Sequence, residues 1–437
     1  MNRPSPTTHR TPAAGMAVVL AVVAVALLAP AAGRGAGLEL REQGAAAISL
    51  SDAVTARFDH PSTVYFNPAG MAFLEGLQVS AGITLVLPDF EYADPDGQLP
   101  DTENTNDLVT PPHLYASWRI NDMWAVGLSF NVPFGLGIHW PEDFAGASIS
   151  QKSDLQVFLV NPCVAIRPID ELAIAVGVQL MPGTVSIRRR FGFVSSGGNL
   201  ELGGVELGGV GFGAGGNLGI MYRPLDWLYL GFFYRSRVQI EFEGDAHFDA
   251  PDDLNDRSVF HDQPAKAGVT LPDYMTFGVG FQIIPSLYLE ADLDVVIWST
   301  VDELTIEFPE DQSGQLTAPV REDWTTIVTP RLGIEWLALD GPNVLKVRFG
   351  GGYDMSPAPD HTLSPMLPDS SRVYFSTGLG WTYEPIGLGL DFGFMYSQFL
   401  ERTVTEASCS GGYCNPFPAT YTNHAILLGL DLNWRAF

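Results

Sequence analysis

The chain has 437 residues, of which 46% are hydrophobic and only 17% charged, with 46 glycines and 11% aromatics. Soluble domains carry about 25% charge, and the net charge of −27 argues against nucleic acid as a partner. No run of about 20 apolar residues follows the N-terminal region, which excludes a bundle of transmembrane helices.

The N-terminus has the pattern of a secretory signal. Arg3 and Arg10 make a basic n-region, and residues 16–29, MAVVLAVVAVALLA, make an apolar core too short to span a bilayer. A membrane anchor is the alternative reading. Gly33-Arg34-Gly35 permits cleavage before Ala36, with Ala29-Pro30-Ala31 as a second option. Removal of residues 1–35 takes away three arginines and no acid, so the mature chain is more acidic still. Residues 36–76 come next, small and polar but too apolar for a disordered tail. They include the tight turn YFNPAG, in which Asn67-Pro68-Ala69 precedes the first strand-like run.

From residue 77 onward the dominant period is two. In 287–297, Leu287, Leu289, Ala291, Leu293, Val295 and Ile297 share one face, and Tyr288, Glu290, Asp292 and Asp294 the other. In 228–243, Leu228, Leu230, Phe232, Tyr234, Val238, Ile240 and Phe242 oppose Arg235, Arg237, Gln239, Glu241 and Glu243. Such lengths exceed a globular strand of about 5–6 residues. They suit a tilted membrane strand with one face in lipid and one in a polar lumen. Strands are predicted at 77–87, 112–120, 123–133, 154–167, 171–191, 206–223, 227–244, 269–284, 286–307, 326–338, 343–355, 371–384, 386–404 and 422–437. Short turns at 121–122, 168–170, 224–226, 285–286, 339–342 and 384–385 alternate with long polar connections, as in outer-membrane barrels. A closed, even-stranded barrel leaves no unpaired edge in lipid.

Candidate chemistry is sparse. The histidines are scattered and make no nucleophile–base set, so no catalytic residue is expected. Cys409 and Cys414 flank SGGY and suit a small loop disulfide in an exported protein, with no metal-ligand set nearby. The acidic runs 94–107 and 249–258 lack EF-hand spacing; a solvated surface, divalent bridging to lipid A, and a calcium site remain open readings. Arg188-Arg189-Arg190 is the densest basic cluster. Strict alternation after Pro182-Gly183 sets Val185, Ile187 and Phe191 on one face, and points Arg188 and Arg190 inward near the outer mouth. A guanidinium there would pair with a carboxylate, a lumen acid such as Glu241, or lipopolysaccharide.

The sequence resembles the FadL-type family of outer-membrane long-chain fatty acid transporters and aromatic-hydrocarbon channels. AGLELREQG at the expected mature start, Asn67-Pro68-Ala69, YRSRVQIEFEG (234–244), TLPDYMTFGVGF with Leu271-Pro272, YDMSPAP, LPDSSRVYFSTGLGW and the terminal Phe437 carry the resemblance in order along the chain. It implies an all-β, fourteen-stranded antiparallel transmembrane barrel at 77–437 with residues 36–76 as a lumenal hatch. It also implies that Arg190-Phe191 holds an anionic head group with Arg188 as helper. The family's second cation falls near Trp324 and Thr325, where this chain has no lysine and Arg321 is closest. In the family a kink in the third strand opens the wall sideways. Here Asn131, Pro133, Phe134 and Gly135 would form it, or would instead begin the outer loop. The expected protein is thus a monomeric outer-membrane channel that takes up long-chain fatty acids or similar hydrophobic molecules, contacts outer-membrane lipid and lipopolysaccharide, and needs no cofactor or metal. The alternatives are a passive porin, a surface adhesion barrel, and a lipase-type barrel enzyme.

Overall fold

The computed structural model describes residues 37–436 except 106–107, 195–199, 250–259, 312–315, 317–318, 411–412 and 416. The expected signal peptide, Phe437 and nearly all of the acidic run 249–258 lie outside the described residues. Fourteen antiparallel strands form the wall. They are β1 (Leu77–Ala93), β2 (Pro112–Arg119), β3 (Trp124–His139), β4 (Lys152–Ile169), β5 (Leu172–Val194) and β6 (Leu200–Leu225). β7 runs as Leu228–Arg235 and Val238–Asp249, and β8 as Gln263–Leu271 and Asp273–Ile284. The remainder are β9 (Leu287–Ile297), β10 (Ile327–Leu339), β11 (Asn343–Asp354), β12 (Arg372–Tyr383), β13 (Leu388–Phe399) and β14 (Ala419–Ala436). Each strand pairs with its sequence neighbour, and β1 pairs with both β2 and β14, which closes the barrel. Among the described residues the closed order leaves no edge strand.

The period of two sorts side chains between lumen and lipid. On β10, Thr329, Arg331 and Glu335 are buried inside, and Val328, Leu332, Ile334 and Trp336 face outward. Trp118, Trp124, Trp227, Trp336 and Trp381 are exposed beside the short turns and make an aromatic belt at that interface.

Local breaks account for the differences from the sequence reading. β7 does not keep one register. Its ladder stops at Ser236-Arg237, where the Gly216 amide donates to Ser236 Oγ (2.9 Å) and Ser236 N donates to Gly216 O (2.9 Å). Before the break Phe233 and Arg235 are buried; after it Val238, Ile240 and Phe242 are buried and Gln239, Glu241 and Glu243 exposed. Glu241 is therefore on the outer surface and is no lumen acid. The matching break in β8 is at Pro272, which has no amide to donate. Asp273 bridges the two breaks by accepting from Arg237 N (3.0 Å) and Nε (2.7 Å). β9 ends at Ile297 in a short 3-10 turn, Trp298–Thr300, and does not run on to 307. β3 continues through His139, beyond the expected end at 133, and β6 begins at Leu200, ahead of the expected start at 206.

Residues 37–74 run inside the barrel, and most of them are buried. Leu40, Gln43, Ala45, Ile48, Asp52, Ala56 and Asn67 are 0% exposed. The wall admits this chain because lumen-facing positions on successive strands are glycine. A Cβ on Gly231 of β7 would lie 2.3 Å from Thr55 O, and one on Gly393 of β13 would lie 2.4 Å from Ala45 O. Gly219, Gly278, Gly350 and Gly429 meet the same segment comparably closely. Gly231→Leu should therefore expel or distort residues 45–56, at a cost of about 1–3 kcal/mol from overpacking. The expected result is a barrel that still shifts on a heat-modifiability gel, with faster proteolysis of residues 37–76 and raised single-channel conductance.

Candidate functional site

The interior is built in layers. Nearest the periplasmic turns, Asn67 fixes the course of the N-terminal segment. Its Nδ2 donates to Thr55 O (2.8 Å) and to Ile220 O on β6 (3.1 Å), and its Oδ1 accepts from Ala69 N (3.3 Å). Pro68 opens the 3-10 turn Pro68–Phe73, where its missing amide costs nothing. The residues Asn67, Pro68 and Ala69 thus tie two points of the segment to each other and to the wall.

Above this lies a layer of buried charge. Wall carboxylates accept the segment's backbone amides: Asp431 Oδ2 from Ala45 N (2.8 Å), Asp292 Oδ2 from Val54 N and Thr55 N (3.0 Å each), and Glu290 Oε1 from Ala56 N (2.6 Å). Guanidiniums join segment and wall in the same layer. Arg372 donates to Glu42 Oε1 and to Asp354 Oδ2, both at 2.8 Å. Arg331 donates to Asp294 Oδ2 (2.7 Å), an acid that Arg41 also reaches at 3.4 Å. Arg348 bridges Glu335 (2.7 Å) and Asp391, and Arg57 completes the chain through Glu335 (2.7 Å). His113 Nε2 sits 2.7 Å from Asp431 Oδ1 with both side chains fully buried.

Beyond Phe130 β3 has no partner on β2 among the described residues, and its ladder with β4 slips between Asn131 and Phe134. Released backbone groups there are taken up by the N-terminal segment. Leu40 N donates to Pro133 O (2.8 Å), and Gly135 N to Leu38 O (2.9 Å). Gln43 serves both sides of Val132, donating from Nε2 to its carbonyl (3.0 Å) and accepting at Oε1 from its amide (3.2 Å). The bulge is thus within the strand, and Asn131, Pro133, Phe134 and Gly135 are all buried. The alternative that this stretch starts the outer loop is not met.

The outer half of the lumen is apolar and aromatic. Phe134 meets Trp298 edge-on at 6.2 Å, and Trp298 meets Trp324 at 5.0 Å. Phe242, Val269 and Val301 belong to the same buried cluster. Trp140 stacks on Phe144 at 4.5 Å in the connections above it. Beside this cluster, Arg189 shares a face of β5 with Ile187 and Phe191 and lies opposite the buried Val205 of β6. Its Nε and Nη2 are buried and make no hydrogen bond among the described residues. The nearby acid is Glu322, whose Oε2 accepts from Trp324 Nε1 at 2.9 Å. Burial pushes the Glu322 carboxyl up to about 8, against the pull of the indole and of Arg189.

The placement of the arginines corrects the sequence reading. The face of Val185, Ile187 and Phe191 is the inward one, so Arg189 points inward, while Arg188 and Arg190 take the opposite face. Arg188 donates to Glu206 Oε2 across the β5–β6 ladder, and Arg190 to Glu142 O (3.2 Å). The three arginines nevertheless line one cavity of about 480 Å3 at the outer end of β5 and β6. Sequence alternation failed here because the apolar face was read as the lipid face. Here the apolar face packs on the aromatic interior, and Thr184, Ser186, Arg188 and Arg190 take the outer face. Arg321 points away, pairing with Asp323 (2.6 Å) and lying over the Tyr413 ring (5.7 Å). Tyr413 belongs to a two-stranded hairpin whose Cys409 and Cys414 are bonded to each other.

A closed fourteen-stranded barrel with a lipid-facing apolar belt defines a multi-pass transmembrane protein of the outer-membrane barrel class. The family model described as outer membrane protein transport protein (OMPP1/FadL/TodX) matches residues 22–436, and the chain belongs to this family. It is a family of transport proteins, not of enzymes. A 47 kDa outer membrane protein from Pasteurella multocida is 26% identical over 460 residues, covering 100% of both chains. A long-chain fatty acid transport protein from Escherichia coli is 24% identical over 422 residues, covering 89% of this chain and 93% of its own. The crystal structure of a Pseudomonas aeruginosa FadL homologue superposes with a TM-score of 0.80 at 18% identity, over 91% of this chain and 99% of that one.

The charge layer yields a stability test. Arg372→Met leaves Glu42 and Asp354 buried with a lost partner. Removing one member of such a set costs about 3–5 kcal/mol. The expected result, read by protease sensitivity of residues 37–76 and by denaturant unfolding, is a marked loss in the variant and partial recovery in Arg372→Met/Glu42→Gln.

Proposed function

We propose that this protein takes up long-chain fatty acids or closely similar single-chain hydrophobic acids, with Arg189 as the group that holds the carboxylate. The observation that carries the reading is the buried Arg189 guanidinium, two of whose nitrogens have no hydrogen-bond partner among the described residues, set against an apolar aromatic interior. A guanidinium matches a carboxylate in charge and geometry. Arg188 and Arg190, on the opposite face of the same strand, serve first capture at the outer cavity and hand the head group inward. The chain of the ligand then lies along Trp298, Trp324 and Phe134.

Residues 36–76 act as the hatch in this reading. Asn67, Pro68 and Ala69 hold its fixed end, and residues 38–43 cover the β3 bulge at Asn131, Pro133, Phe134 and Gly135. The ligand leaves sideways there into the membrane when residues 38–43 withdraw, and so avoids the aqueous periplasm. An uncharged lipophile is the second reading. It is favoured by Glu322, an acid lying close to Arg189 where the resemblance called for a second cation near Trp324.

Arg189→Ala should weaken oleate binding about ten- to a hundredfold, the worth of a charged hydrogen bond at roughly 1.5–3 kcal/mol. Arg188→Ala and Arg190→Ala should slow capture with a smaller loss at equilibrium. Unchanged oleate affinity in Arg189→Ala, measured by isothermal calorimetry, rejects the anionic head-group reading and leaves the uncharged one.

The pH dependence has a definite sign. Glu322 is held neutral below about 8. As pH rises through that value it ionises beside Arg189 and competes with the ligand carboxylate. Oleate affinity should therefore be highest below pH 8 and fall above it. Glu322→Gln should flatten the profile between pH 7 and pH 9 (range set by the value about 8).

Gly135 is buried just past the bulge, and its amide donates to Leu38 O of the segment. Gly135→Trp should slow cellular uptake of labelled fatty acid with binding intact and surface expression equal. Uptake at the wild-type rate overturns the exit route.

A further inference from the structure

The wall has a second interruption, between β8 and β9. The ladder runs from Ile284↔Leu287 up to Asp273↔Ile297 and resumes only at Ala267↔Ile306 and Lys266↔Glu307. Residues 268–272 of β8 have no ladder partner on that side among the described residues. The chain that would pair with them turns inward at Trp298–Thr300, burying Trp298 completely. Residues 301–302 bond to the next connection instead: Glu322 N donates to Asp302 O (2.8 Å) and Trp324 N to Val301 O (3.1 Å).

The detour leaves a cavity of about 490 Å3 in the wall. Its floor is Phe242, Val269, Val301 and Leu304, continuous with the cluster that holds Trp298 and Trp324. Its outer rim carries Glu241, Glu243, Glu303, Glu307 and Lys266. Lys266 pairs with Glu243 (2.5 Å), so carboxylates remain in excess. Gly268 opens onto the cavity, and a Cβ there meets nothing within 4 Å. The lower part of β8, Asp273–Ile284, spans 12 residues. At about 3.3 Å per residue and a tilt of about 40° it climbs roughly 30 Å, just past an apolar band of about 25 Å. The interruption therefore lies at the level of the outer head groups. The β3 bulge lies lower, within the apolar band, and on other strands.

We infer that the interruption between β8 and β9 is a lateral entry port that admits single-chain lipophiles with an uncharged head, such as long-chain alcohols, from the outer interface into the lumen. The apolar floor takes the chain. The acidic rim repels a free carboxylate and accepts a hydroxyl. The inference rests on the transport reading for its direction but not on Arg189. An alcohol that enters here needs no guanidinium.

The port is tested with full-length protein in lipid vesicles. Cys163 is buried and Cys409 is bonded to Cys414, so Gly268→Cys supplies the accessible thiol for a bimane label. Gly208→Cys, also in open space but on β6, reports simple partition into the bilayer. Brominated octadecanol should quench the label at position 268 saturably, at concentrations ~fivefold below those needed with brominated stearate at pH 8, and Glu→Gln changes at 241, 243, 303 and 307 should abolish that preference. Quenching at 268 that matches position 208, or a preference for stearate, overturns the port. In cells, Gly268→Trp should slow uptake of labelled octadecanol ~fivefold while Gly208→Trp does not, the loss expected when a route is occluded. Undiminished octadecanol uptake by Gly268→Trp also overturns it. Loss of oleate binding in Arg189→Ala with saturable alcohol quenching retained separates the port from the head-group site. Saturable quenching in a wild-type background that imports neither oleate nor octadecanol rejects transport and, with it, the entry role.

Discussion

A backbone group that loses its ladder partner inside a bilayer has no water to turn to, and must be satisfied by the protein itself. Much of this structure follows from that constraint. The wall is closed and regular over most of its height, and at two of its departures from regularity, on β3 and on β7, specific substitute partners are in place. At the β3 slip the substitutes are Leu38, Leu40 and Gln43 of the N-terminal segment. At the β7 slip they are Ser236, Gly216 and, through Arg237, Asp273. The constraint makes the N-terminal segment part of the wall's hydrogen bonding as well as an occupant of the lumen. Moving residues 38–43 strips partners from β3, so the state of the segment and the state of the wall are one variable.

The charge layer works the same way with larger energies. Buried ions are tolerated only when paired and hydrogen-bonded. Here the pairing crosses between segment and wall at Glu42–Arg372, at Arg41–Asp294 and at Arg57–Glu335. The upper lumen has almost no such pairing and is lined by aromatic rings. The boundary between the two layers divides a part of the interior that is held fast from a part that is apolar and yielding. The candidate ligand-binding residues sit above that boundary, and the turn at Asn67, Pro68 and Ala69 sits below the charge layer.

Much of the architecture was legible in the residues. The alternation in 287–297 identified Glu290, Asp292 and Asp294 as lumen side chains, and the short turns at 121–122 and 285–286 set the topology. The alternation in 228–243 misled, because one extra residue at Ser236-Arg237 inverts everything after it, and no single-residue signal marks that slip. The same limit hid Arg189. Periodicity says which residues share a face and is silent on which face is inside, so Arg188 and Arg190 were placed inward in its stead. Pro272 stands inside the expected strand 269–284 and enters only as part of a resemblance motif, and Trp298 stands inside the expected strand 286–307. A tryptophan inside a β-pattern suits a lipid interface as well as a buried detour, and only the three-dimensional path of residues 298–302 decides.

The lumen-facing glycines on β6, β7, β8, β11, β13 and β14 meet the N-terminal segment largely through its main chain, at Thr55 O, Ala45 O and their neighbours. A wall that approaches main chain this closely fixes the path of residues 45–56, and their buried side chains fill what space is left. Enlargement of the receiving glycines is barred. Evolution of a new cargo preference is thereby steered away from the barrel's waist and into the inner surface of its outer half. There, rings and a single guanidinium can be exchanged without re-laying the segment beneath them.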